Sequence, residues 1–171
     1  MAGTIGAIWG ILGLSLILLR GLSSVWPYVE ELDFRVFGPV EWISLVISLL
    51  FMGYAEGYKG FQLKFSPRVG ARALYLKNHP TPVRIVFAPL FCMGFFHATK
   101  VRKIIAYAVT TMVILLIVIV RQLPQPWRGI IDAGVLFGLG WGLFSVWVYC
   151  FKAFFGRGTY AVSPETPDRQ A

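Results

Sequence analysis

"IVFAPLFCMGFFHATKVRK", Ile85–Lys103, decides how this chain is threaded. Its first fourteen residues, 85–98, carry no formal charge, and three of the four residues from Lys100 to Lys103 are basic. Fourteen helical residues rise only about 21 Å, against roughly 30 Å of hydrocarbon in a bilayer. The stretch is short for an upright span, yet it lacks the polar face of a helix lying in the interface. Pro89 breaks it further, because the proline ring collides with the preceding helical turn. A re-entrant or interfacial segment that enters and leaves on one side satisfies both constraints. Irregular backbone at such depth is tolerated where protein or a wet cavity shelters it.

The rest of the chain is a membrane protein by composition. Of 171 residues, 57% are hydrophobic and only 14% charged, where a soluble domain is about a quarter charged. Four segments have span length: about 3–19, 39–54, 104–120 and 130–151. Their uninterrupted apolar runs lack the alternation of a barrel strand, so helices are required. Pro39 suits the first turn of the second segment. The start, "MAGTIGAIWGILGLSLILLR", is apolar like a signal peptide but has no basic leading region, and it reads as a retained first helix. The expected fold is therefore an all-α polytopic membrane protein. It has a single domain over 1–155 with four transmembrane helices, a non-crossing segment at 85–98, and a disordered polar tail over 156–171.

Charge sets the orientation. With 85–98 not crossing, one side holds 12 of the 16 basic residues and the other holds Arg20, Arg35, Arg121 and Arg128. With that segment crossing, the division becomes eight against eight. The excess of Lys and Arg on cytoplasmic loops selects the first arrangement, with both termini cytoplasmic in a plasma or inner membrane. Trp26, Trp42 and Trp127 then fall at the outer interface, where indole rings partition. The same bias accounts for most of the net charge of +8, so no nucleic-acid partner is implied.

Several polar or small residues stand out. Glu41 and Asp132 open the two helices that return from the outer face, where a carboxylate is favoured by the helix dipole; together they are candidates for an ion or proton site. Glu56, His97, Lys100, Arg102 and Lys103 are candidates at the cytoplasmic mouth, with Lys59 placed to pair with Glu56 at i+3. Basic residues interleaved with aromatics over 59–84 suit an interfacial helix on anionic lipid. Arg68, Arg72 and Arg84 are candidates to converge on a lipid headgroup or another anionic ligand. Gly134, Gly138 and Gly142 recur at four-residue spacing, as do Ala2, Gly6 and Gly10. Such faces allow close helix packing in lipid, and the expectation is that helices one and four seat on each other.

Cys92 and Cys150 are far apart and lack a CxxC spacing, so neither a metal site nor a dithiol motif is expected. His79 precedes Pro80 and is poorly placed to form a haem pair with His97. No cofactor is implied, and no catalytic motif is present. The leading functional expectation is a helix-packing accessory or assembly subunit of a homo-oligomer or larger membrane complex. A small channel or carrier, and an enzyme acting on lipid or prenyl phosphates through His97 and the arginines, are the alternatives.

Overall fold

Four helices of this chain are long and apolar enough to cross a membrane. The computed structural model describes residues 1–156 and 160–167, and among these there is no β-strand. Helix α1 (Ala2–Glu30) runs well past Arg20, with Pro27 accommodated in its last turn. Helix α2 (Pro39–Met52) starts on Pro39, and Glu41 Oε2 accepts a hydrogen bond from the Gly38 N–H at 3.0 Å. It does not stop at the expected boundary. The chain continues through a π-helical stretch (Gly53–Phe65) into α3 (Ser66–Asn78), giving one 40-residue rod.

That rod corrects the expectation of a surface helix over 59–84. Helix α3 is inside the molecule: Val69, Ala73 and Leu76 are fully buried. Small residues permit it. A Cβ on Gly70 would lie 3.0 Å from the Tyr149 carbonyl oxygen, so the α3 backbone rests directly on the last long helix, α7 (Trp127–Phe155).

The deciding stretch is not one helix. It forms α4 (Pro82–Val86) and α5 (Ala88–Met93), six residues or fewer each, followed by bends up to Ala98. Thr81 caps α4, its side chain accepting from the Arg84 N–H. Gly94 ends α5 at φ 88°, a left-handed position that suits glycine, and the Phe95 N–H closes back on the Leu90 carbonyl at 3.1 Å. Gly6 of α1 faces Ile85, Gly10 faces Cys92 and Ala88, and Gly13 faces Pro89. The small-residue face of α1 therefore seats α4 and α5, while α1 and α7 pack on each other as expected through other positions, Gly129 of α7 lying against the Tyr28 carbonyl.

The glycines of α7 have their own partner. Gly134 faces Ser48 and Met52, Gly138 faces Glu56, and Gly142 lies under the Phe61 ring. Both glycine faces act within the chain, and α1 and α7 meet through Leu14, Leu18, Val146 and Cys150. The main core forms where these surfaces meet, around Leu14, Val69, Leu76, Phe91, Cys92 and Val146.

Helix α6 (Lys100–Val120) is different. From Tyr107 to Ile119 every residue except Thr110 is exposed, so no helix packs along its length. It is held at its base only, by buried Arg102 and Ala106 and by the Phe95–Tyr107 ring pair at 5.3 Å. Residues 160–167, expected as part of a disordered tail, instead lie on the bundle. Tyr160 donates to the Pro67 carbonyl at 3.0 Å, and the Thr99 N–H donates to the Glu165 carbonyl at 3.0 Å. The remaining positions of that tail, 157–159 and 168–171, are outside the described residues.

Candidate functional site

The polar centre of the molecule lies where α3, α5, the base of α6 and residues 160–167 meet. Arg72 is its hub, 1% exposed. Its Nε donates to the Phe91 carbonyl at 2.5 Å, Nη1 to Pro164 at 2.8 Å, and Nη2 to Phe96 and His97 at 3.0 and 3.1 Å. The guanidinium also stacks 4.2 Å from the Phe91 ring centroid. A planar fork of five N–H donors is the side chain that can tie four carbonyls from three segments together. Arg72 is thereby committed to holding the fold.

Arg84 and His97 form a neighbouring pair. Arg84 Nη1 donates to the His79 carbonyl at 3.2 Å, and Nη2 meets His97 Nε2. A guanidinium only donates, so Nε2 accepts in this contact and is not placed to act as a general base. His97 itself has φ 49°, a left-handed backbone in a non-glycine residue. Such conformations persist where the surroundings over-determine them, and here the His97 carbonyl is held by Arg72.

Arg68 and Arg102 converge on a carboxylate that belongs to the chain. Arg68 Nε lies 3.1 Å from Glu165 Oε1, and Arg102 Nε lies 3.8 Å from Oε2. The expected convergence of Arg68, Arg72 and Arg84 on one anion is thus corrected. Among the described residues, Arg72 is taken up by carbonyls, Arg84 meets the His79 carbonyl and His97, and Arg68 faces the Glu165 carboxylate with Arg102 beside it. Between them opens a cavity of about 390 Å³, also lined by Thr99, Ser163 and Thr166. Lys100 is exposed on the same turn and Lys103 is half-buried.

Residues of the 160–167 segment that complete this centre were not singled out from sequence. The available signal was sparse: Glu165 is one of eight acids in the chain, and it follows Pro164 in a polar tail. Nothing in local pattern says that such a tail returns to the bundle.

The other candidates lie apart. Glu41 caps its own helix. Asp132 is buried, with Arg128 Nε 3.7 Å from its Oδ2 and the Arg128 guanidinium stacked on Tyr28 at 3.3 Å. Each of these two acids is engaged locally. Glu56 packs against the bare backbone at Gly138. Lys59 turns to the Tyr54 ring, 4.7 Å from its centroid, in place of the expected pair with Glu56. Both cysteines are buried thiols. Among the described residues no group of three or more His, Cys, Asp or Glu side chains is gathered as a metal site would require. Comparison with family models, curated proteins and solved structures gave no match to this chain.

Proposed function

We propose that this protein is a non-catalytic integral membrane subunit that assembles with other helices, either in a homo-oligomer or in a larger membrane complex. One observation carries the reading: α6 is span-length and apolar on every side, yet among the described residues no other helix packs along its exposed surface from Tyr107 to Ile119. Lipid alone would tolerate such a helix, so its surface chemistry matters. Eleven of the seventeen residues from Ile104 to Val120 are Ile, Val or Thr. β-Branched side chains are nearly fixed in one rotamer on a helix, so little side-chain entropy is lost when they pack. Association in lipid depends on such packing, because no hydrophobic effect drives helices together there. The α6 surface is suited to a protein neighbour.

In this reading the termini and residues 55–103 lie on the cytoplasmic side, the segment 85–98 enters from that side without crossing, and the exposed Lys59, Lys64, Lys77 and Lys100 contact anionic lipid. The seat of α5 on Gly10 and Gly13 of the first apolar helix supports insertion of that segment to some depth. Cysteine introduced at Ile114 or Val118 tests the assembly. Oxidative cross-linking in native membranes should join α6 to a second copy or to a co-purifying protein, and mass measurement in mild detergent should give more than one chain. A single-chain mass with no cross-linked product at either position overturns it.

A further inference from the structure

We propose that the cavity between the base of α6 and the 160–167 segment is a binding site for a phosphate group, in which Glu165 serves as an internal occupant. The site goes beyond the assembly reading and stands independently of it, since a single chain contains all of its parts.

Two unpartnered polar atoms carry the inference. Arg102 is 7% exposed and lines the cavity, and its Nε has no hydrogen-bond partner among the described residues. At 3.8 Å from Glu165 it has a Coulombic neighbour but not a hydrogen bond. Thr166, 1% exposed, lines the same cavity with its Oγ1 equally unpartnered. Buried polar groups left unpaired carry the full cost of their desolvation, and one ligand that satisfies both recovers it.

The chemistry selects the ligand. Two guanidinium groups face one carboxylate, which leaves the cavity positively balanced. The N-terminus of the 21-residue α6, whose Arg102 N–H is capped by the Thr99 hydroxyl, adds the positive end of the helix dipole, a position favoured by anions. Guanidinium forks and a hydroxyl together match a tetrahedral oxyanion, whose several oxygens accept from different directions. A cavity of about 390 Å³ admits such a group together with part of the molecule that bears it. The carboxylate of Glu165 marks where the anion sits. Its hold is uneven, 3.1 Å to Arg68 but 3.8 Å to Arg102, and its backbone is in the left-handed region at φ 50°. An entering phosphate therefore takes Arg102 first and competes for Arg68.

The cavity adjoins the point where α6 turns wholly apolar at Ile104, so a lipid headgroup and a soluble phosphate compound present the same chemistry to it. Full-length protein in detergent should melt at higher temperature with rising inorganic phosphate, saturably, and not with chloride at matched ionic strength. The same measurement in phosphatidylcholine nanodiscs with and without phosphatidic acid separates the sources. A response to free phosphate supports a soluble ligand, and a response to phosphatidic acid alone supports a headgroup. Arg68→Gln should lose the response in either arm. Glu165→Gln, which removes the competing carboxylate, should bind several-fold tighter. Absence of response in both the wild type and Glu165→Gln overturns the site, as does a response unchanged in both variants.

Discussion

A guanidinium buried among carbonyls, as Arg72 is, does the work that a disulfide or a metal does in other small proteins. It joins α3 to the end of α5, to the bend before α6 and to Pro164. Lysine keeps the charge but offers a single ammonium without the planar fork. Each buried carbonyl left unpaired costs about 1–3 kcal/mol. Arg72→Lys is therefore expected to destabilise by about 3 kcal/mol or more, and Arg72→Met by more again. Melting temperature in detergent should rank wild type above Arg72→Lys and Arg72→Lys above Arg72→Met. In the sequence Arg72 stood out only as one of three arginines expected to meet an anion. Its role was not legible there, because the oxygens it binds belong to main chain that only the fold brings near.

The docked 160–167 segment depends on few contacts, and one of them titrates. Burial, with Cys150 and Tyr149 adding to it, pushes the Tyr160 hydroxyl up to about 12. An unfolded tyrosine titrates near 10. Because the folded value is the higher one, the folded chain holds this proton more tightly. The contribution of Tyr160 is complete below about pH 10 and is lost as pH rises towards about 12. Tyr160→Phe should therefore show a shallower fall in melting temperature than the wild type between those limits, while melting lower than the wild type at pH 7 through loss of the bond to Pro67. Among the long elements, the existence of the four span-length helices was legible from apolar runs, but not every end was, since α1 continues past Arg20 to Glu30. The continuity of α2 into α3 was not legible either. Gly53, Gly57 and Gly60 and the charges around them read as the end of a helix. What keeps the helix going is α7, where Phe137 and Trp141 fill the space that Gly53 and Gly57 leave.

At the scale of the whole molecule, the threading rests on the broken stretch before α6. Two short helices and a bend bring the chain back to the base of α6, beside the Arg68–Glu165–Arg102 cluster. With four crossings, Lys100 and the chain termini share a side. Cysteine placed at Lys100 and treated from outside cells with an impermeant maleimide should stay unlabelled, while one at Gln125 is labelled. The native thiols of Cys92 and Cys150 do not interfere, because both are buried. Equal labelling at the two positions would make the stretch a fifth span. The charge distribution alone is the ground for expecting this topology, and the labelling tests it. The composition of the polar centre was not legible in the sequence, since it draws on residues as distant as Arg68 and Glu165, and periodicity reports only on neighbours within one element.

The π-helical stretch Gly53–Phe65 has a consequence for how this chain can vary in length. Each turn closed from i to i+5 holds one residue more than the i to i+4 turn it replaces. A descendant that lost one residue between Gly57 and Phe61 could tighten one turn to an ordinary α-turn and keep α2 and α3 in register with α7. A descendant that gained a residue has no looser turn to fall back on, and every side chain beyond the insertion would be turned away from its seat. Deletions and insertions at this place are therefore unequal events, and the segment stores a length change that the bundle can absorb in one direction only.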